Sequence, residues 1–545
     1  MKLRAAPTVG LFGALVLAPA VAHAGGLFLP GSGAVSTSRG GAAVASASDG
    51  EALSINPAGL AKSKGTTITL SAAIINYAMS FQRRGTYDAI DTEALPYEGQ
   101  PFPTVRNDAS PPLGLGKYQP IPVIAVVTDL GGAVKGLTLA AGVYAPNSYP
   151  FRDMCTELSS GCSKYAFNGD FDVAPAPQRY DIMSQEAAVF VPTIAAAYRI
   201  TPQLDVGARF GWGIGEVKSK VALWGALDNY IEYVKRDSVF EVDGKDNFVP
   251  SFGIGVAFRP TPFIELGINY SSQMSLLAKG TAISENGPEA LLMNNPIVVR
   301  PSDPSVVRCQ SGGTADVQRA CVELALPMSV TLGGRYKFLG QDGNEKGDIE
   351  LNATWENWSA ERVNDYRVVV DGDVYLVDAS GNENFVAELK DSFVKHGFQD
   401  TFGVRLGGSY RIPAGNAELI VRAGFAYDTQ AAREGWLRAD IDGAARTTGT
   451  LGIGYRAKRF EINAGFGYVY EGTNENPGTC NPDKNGMPAI NGCGPGGIEQ
   501  EVEDRSGPDP ITPILEADLQ SESPITQGTY DSSYTMFLLG FSTWF

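Results

Sequence analysis

The sequence predicts an all-β protein: a transmembrane antiparallel β-barrel of about fourteen strands, with an N-terminal plug inside its lumen. Two observations carry that expectation. From Gly65 to Phe545 the chain repeats one unit, in which a run of alternating apolar and other residues is followed by a short turn, a second such run and a long polar loop. Beyond the leader, no stretch has the ~20 consecutive apolar residues of a spanning helix, so any crossing must be made by strands.

Residues 1–24 read as a cleaved signal peptide: Lys2 and Arg4, an apolar run from Val9 to Val21, then the small-residue site Ala22-His23-Ala24. The mature chain is expected to begin at Gly25. Residues 25–62 form the second unit and carry almost no large side chains, closing on Asn56-Pro57-Ala58-Gly59-Leu60. Such a segment cannot fill a core of its own and must be enclosed by something else. Residues 63–545 supply the enclosure.

The predicted strands lie near 65–84, 119–129, 137–147, 185–199, 203–217, 247–259, 263–280, 325–339, 348–361, 398–412, 417–428, 445–457, 459–471 and 529–545. Proline or glycine marks the clearest short turns, at Arg199-Ile200-Thr201-Pro202, Arg259-Pro260-Thr261-Pro262 and Ile412-Pro413-Ala414-Gly415-Asn416. Period two then assigns faces. Leu204, Val206, Ala208, Phe210, Trp212 and Ile214 share one face, while Asp205, Gly207, Arg209, Gly211 and Gly213 share the other. Likewise Leu419, Val421, Ala423, Phe425 and Tyr427 oppose Glu418, Arg422 and Asp428, and Phe460, Ile462, Ala464, Phe466 and Tyr468 oppose Glu461 and Asn463. The apolar face suits lipid and the polar face a lumen. A soluble sandwich would turn its apolar face inward, but it does not account for so many ~10-residue strands or for aromatics near strand ends.

The inward positions include Asp205, Arg209, Glu265, Glu350, Arg405, Arg411, Glu418, Arg422 and Glu461. Charges of both signs are expected to pair with each other and with plug backbone, because an unpaired charge away from water is costly. Such a lumen conducts greasy molecules poorly. The third segment differs, since its inward face of Thr138, Ala140, Gly142 and Tyr144 carries no charge. Pro146 cannot donate to a ladder and Gly142 relaxes the backbone, so pairing either lapses here or the strand simply ends at Pro146.

The net charge of −17 argues against nucleic acid as a partner. Six cysteines fall into close pairs, Cys155 with Cys162, Cys309 with Cys321 and Cys480 with Cys493, a spacing that suits local disulfides within external loops. A metal site would want Cys-x-x-Cys or histidine neighbours, and the sequence has neither there, so no metal or cofactor is expected.

Several segments together resemble the FadL-type (OmpP1/FadL/TodX) family of outer-membrane transporters for long-chain fatty acids and hydrophobic compounds. They are Asn56-Pro57-Ala58 before the first strand, Leu326-Pro327-Met328, the stretch from Glu350 to Trp355 with Trp358-Ser359, and the stretch from Phe393 to Asp400. The final strand, with Phe537, Leu539, Phe541 and Phe545 on one face, resembles the signal read by outer-membrane assembly machinery. The resemblance implies a hatch gated at Asn56, Pro57 and Ala58. It also implies a lateral opening at Gly142, Tyr144, Ala145 and Pro146, and Lys395 as the partner of a ligand carboxylate. A second basic group is expected after the fifth strand, yet Ala222 and Leu223 stand there. Lys218 and Lys220 fall on the outward parity unless a bulge reverses it. An uncharged hydrocarbon or aromatic therefore stays open as cargo. Ala222 to Leu227 and Ala290 to Met293 are candidate apolar capture surfaces or loop packing.

The expected function is passive transport by a monomer in the outer membrane of a Gram-negative cell: loop capture, pocket binding and lateral release into membrane lipid. Two other classes compete. A hydrolase would have only His396 for a Ser-His arrangement, because His23 leaves with the leader, and Glu350 and Glu356 read as lumen charges. A water-filled porin would leave the lumen open.

Overall fold

The computed structural model describes residues 26–545 apart from 90–93, 159–160, 165–171, 224–231, 233, 288–290, 293–294, 302–308, 310–317, 379, 389–390, 434–435, 442 and 477–525. Residues 1–24, read from the sequence as a leader, lie outside the described residues, as do Cys480, Cys493 and residues 224–227, 290 and 293 of the candidate capture stretches. Fourteen strands form the wall. They are β1 Thr66–Arg83, β2 Gln119–Thr128, β3 Leu137–Tyr144, β4 Ser184–Thr201, β5 Leu204–Leu223 and β6 Ser238–Phe258. Next come β7, running as Ile264–Ser271 and Met274–Asn286, and β8, running as Gln318–Leu326 and Ser329–Leu339. The circuit continues through β9 Glu345–Glu356, β10 Thr401–Ala414, β11 Ala417–Asp428, β12 Arg446–Arg456, β13 Phe460–Asn476 and β14 Gly528–Trp544. Each pairs antiparallel with the next, and β14 returns to β1 in a ladder from Thr67↔Trp544 to Arg83↔Gly528. Closure pairs the first strand with the last, so the sheet has no free terminal strand, the condition for spanning lipid with strands.

The face assignment holds strand by strand. In β5, Asp205, Gly207, Arg209, Gly211 and Gly213 are buried while Trp212 and Ile214 are exposed. Phe425, Ile462, Phe466, Tyr468, Phe537, Leu539 and Phe541 all face outward. The strands outrun the prediction at the long-loop end, where β5 reaches Leu223 and β6 begins at Ser238. A tilted strand needs ~9–11 residues to cross the bilayer, so the 20 residues of β5 project well beyond it. Alternating polarity marks the crossing itself, and the polar extension Glu216, Lys218, Lys220 was legible only as a departure from lipid-facing character.

Between β9 and β10 the chain adds the strand Asp365–Val377, which pairs with the outer part of β8 through Arg319↔Asp371 to Glu323↔Arg367. The Cys309–Cys321 disulfide forms beside it. Cys155, on the short strand Arg152–Leu158, is also disulfide-bonded.

Candidate functional site

Residues 26–62 lie against the inward faces of the wall, held by the charges that strand parity turns inward. Arg39 donates twice to Asp348, at 2.9 and 2.7 Å, and Glu350 accepts from the Ala45 and Ser46 amides at 2.8 and 3.1 Å. Arg209 donates to Leu53 O and Ser54 O, Arg199 to Ala61 O, and Arg446 to Phe28 O. Mixed lumen charges thus meet each other and segment backbone, as the cost of burying them alone requires. Inward glycines let the backbones touch: a Cβ on Gly207 would sit 2.4 Å from Pro57 C, and one on Gly424 would sit 2.0 Å from Arg39 C.

Asn56 is fully buried. Its side chain donates to Val44 O at 2.7 Å and to Val256 O of β6 at 3.2 Å, and accepts from the Ala58 amide, capping the short helix Pro57–Lys62. The turn Asn56-Pro57-Ala58 is therefore tied at once to its own segment and to the wall. Towards the short-turn end, a cavity of about 270 Å³ separates segment and wall, lined among others by Arg39, Glu51, Lys62, Glu265, Arg335 and Arg422. A charged vestibule of this kind is a poor exit for an apolar molecule.

The wall is interrupted at β3. Its pairing with β4 runs from Leu137↔Tyr198 to Tyr144↔Val191, and pairing on that side of β4 resumes only at Arg152↔Gln185. Residues 186–190 fall between. Pro146 and Pro150 bring no amide to the interval, and the ladder of β4 with β5 itself skips Val191 and Pro192. The chain after Tyr144 turns inward: Tyr144, Ala145, Asn147 and Tyr149 are buried. Asn147 O accepts from the Leu29 amide at 2.7 Å and Asn147 Nδ2 donates to Pro30 O at 3.1 Å, so the broken part of the wall is bonded to the N-terminal segment. Gly142 abuts Leu53 of the same segment. Pairing stops after Tyr144, just before Pro146, while Gly142 stays paired on both sides; sequence reasoning missed Asn147, whose partners lie more than a hundred residues away.

Above the N-terminal segment an apolar cluster fills the interior, joining Leu27 and Leu29 to Tyr77, Tyr149, Val191, Met274, Leu276, Trp358, Phe398 and Tyr534. Trp358 is buried against Phe28 and Phe398. Val189 and Phe190, at the break in the wall, pack on this cluster.

Lys395 ends the strand Ser392–Lys395, half-buried, opposite Asp365 and next to the cluster through His396. Among the described residues no carboxylate lies within ion-pair range of its ammonium group. His396 is fully buried, with Nδ1 at 3.1 Å from Asn364 O and Nε2 at 2.9 Å from Asp440. Asp440 also accepts from Arg438, which pairs with Asp181 at 2.5 Å. Both ring nitrogens of His396 thus serve to join loops, and neither meets a serine. Lys218 faces outward, 2.9 Å from Glu241, on the side that strand parity gives it, and Ala222 is buried.

The family model described as outer membrane protein transport protein (OMPP1/FadL/TodX) matches residues 15–479. A proposed outer membrane protein of Neisseria meningitidis serogroup B is 24% identical over 471 residues, covering 85% of this chain and 89% of its own. Among solved structures, a Pseudomonas aeruginosa FadL homologue superposes with a TM-score of 0.62 at 15% identity, covering 95% of this chain and 100% of that one. The toluene transporters TbuX of Ralstonia pickettii and TodX of Pseudomonas putida each give 0.54, at 14% and 15% identity, covering 95% of this chain and 99% of theirs. At such identities these likenesses concern the fold.

Proposed function

Because the chain belongs to the OmpP1/FadL/TodX family of outer membrane protein transport proteins, we propose that it carries hydrophobic molecules passively, from external loops through the interior apolar cluster and sideways through the β3 break into lipid. The observation that carries this reading is Asn147, which bonds the interrupted wall to Leu29 and Pro30. Any shift of the N-terminal segment, the hatch of this scheme, strains those bonds and loosens the flank of the break. Asn56, Pro57 and Ala58 act as its anchor. The charged vestibule favours the lateral route over passage down the barrel.

A long-chain fatty acid is the first cargo, with Lys395 meeting its carboxylate. A neutral alkane or monoaromatic is the second, favoured by the outward Lys218 and the buried Ala222. Native mass spectrometry after incubation with oleate, a long alkane and a monoaromatic separates them. Retention of oleate that Lys395→Ala weakens supports the carboxylate reading. Retention of the neutral compounds alone makes the protein a hydrocarbon carrier. For the hydrolase alternative, His396→Asn is expected to leave any ester cleavage unchanged, since both ring nitrogens are taken by Asn364 O and Asp440 and no serine among the described residues contacts that ring.

A further inference from the structure

A second irregularity of the wall lies between β6 and β7. The ladder runs from Leu266↔Phe258 to Ser271↔Gly253, and resumes in the same register from Lys279↔Lys245 to Asn286↔Ser238. Across the interval the strands are joined by Ser272 N to Phe252 O at 2.8 Å, Phe252 N to Ser272 Oγ at 2.9 Å and Leu277 N to Asp246 Oδ2 at 2.8 Å. A cavity of about 740 Å³ opens here, lined among others by Phe248, Leu276, Leu277 and Leu324 together with Lys245 and Lys279.

Its level and direction are set by its neighbours. Phe248, Leu277, Lys245 and Lys279 all point outward. Trp212 packs edge-on against Phe248 at 4.6 Å and donates to Asn247 O, the posture of an aromatic at the interface between hydrocarbon and headgroups. Towards the short turns, Phe252, Ile254 and Phe258 face lipid; towards the loops, Glu216 and Lys218 do not.

Lys245 and Lys279 are directly opposed across the two strands, an arrangement that like charges make unfavourable. Glu216 answers one of them, 3.0 Å from Lys245. Lys279 has no carboxylate within ion-pair range among the described residues. The lining carboxylates are already engaged, Asp246 by the Phe248 and Leu277 amides and Glu323 by Arg362 and Arg367. We infer that this cleft binds a phosphorylated lipid of the outer leaflet, its phosphate bridging Lys245 and Lys279 and an acyl chain lying along Phe248 and Leu277. Paired cations beside the hydrocarbon boundary select anionic headgroups, and the bridging anion relieves the repulsion that the bare protein carries.

The test is native mass spectrometry of the full chain in detergent, with bis-phosphorylated lipid A as probe and the same lipid stripped of both phosphates as control. The wild type is expected to retain the phosphorylated form at least tenfold better. Lys245→Ser with Lys279→Ser should abolish that preference while melting within a few degrees of the wild type in lipid-free detergent, because relief of the like-charge contact offsets loss of the exposed Glu216–Lys245 pair; Lys279→Arg should keep it. Glu216→Gln, which frees Lys245, should raise retention two- to threefold and tests the site even where the double variant fails to fold. Equal retention of both lipids, a double variant that holds as much as the wild type, or a Glu216→Gln variant that holds no more, overturns the inference. So does Lys279-dependent retention of oleate without retention of lipid A, which would make the cleft a cargo site.

Discussion

Glu51 is a titratable group that the N-terminal segment uses to hold itself together. Its carboxylate accepts from the Val35 and Ser36 amides at 3.0 and 2.9 Å and from Ser71 Oγ of β1 at 2.8 Å. Burial pushes its pKa up from 4.5 to about 7; Asp49 adds to the rise and the two amides oppose it. A carboxyl whose pKa is raised by docking binds its proton more tightly docked than free. Its contribution to docking is therefore greatest below about 4.5 and declines as pH rises through 7. Protection of the Val35 and Ser36 amides, corrected for intrinsic exchange, is expected to fall between pH 5 and pH 8, and Glu51→Gln to flatten the profile. An unchanged wild-type profile would refute the switch. At this scale the sequence was half legible. Parity named Glu350 as inward, and Asp348 shares that parity, but that Arg39 reaches Asp348 depends on how residues 26–62 coil, which no periodicity encodes.

At the scale of elements, the N-terminal segment and β3 depend on each other through few contacts. Asn147→Ala removes its side-chain bond to Pro30 O, a loss of about 0.5–1.5 kcal/mol that falls on the coupling between segment and wall break. Uptake of a fluorescent hydrophobic probe into vesicles is expected to change severalfold while the melting temperature shifts by a few degrees at most; unaltered uptake would sever the proposed link. Gly424→Val should act from the other side. Its Cβ would meet Arg39 backbone at 2.0 Å, and overpacking of that kind costs about 1–3 kcal/mol. Because β11 is paired along its whole length, the N-terminal segment should yield before the strand does, read as faster exchange at residues 36–46 without loss of barrel signal. Strand positions and faces were legible because period two is a local pattern. The end of β3 was legible from Pro146, but Gly142 marks no lapse in pairing, since it faces Ala125 in one ladder and Thr193 in the other. The flanking contribution of Pro192 to the break was not recognised, since a proline inside an otherwise regular strand reads as ordinary variation until the neighbouring register is known.

For the whole molecule, the organisation follows from one mismatch: fourteen closed strands enclose more space than their own inward side chains fill, and residues 26–62 lack the large side chains to fold alone. Each part solves the other's problem. The wall supplies buried charges such as Arg209 and Glu350 to satisfy segment backbone, and the segment supplies Arg39 and Lys62 to answer Asp348 and Glu265. This division also separates transport from a general pore. Deleting residues 26–62 should leave a barrel that still assembles, because the β1 to β14 ladder does not involve them. It should also uncover lumen charges to water, where they are cheaply solvated. In a planar bilayer the full chain is expected to conduct ions weakly, whereas the deleted form should show large steady openings that persist at saturating cargo. High conductance from the full chain would instead mean that the N-terminal segment leaves an aqueous path around itself, and the protein would act as a porin whose wall break is incidental.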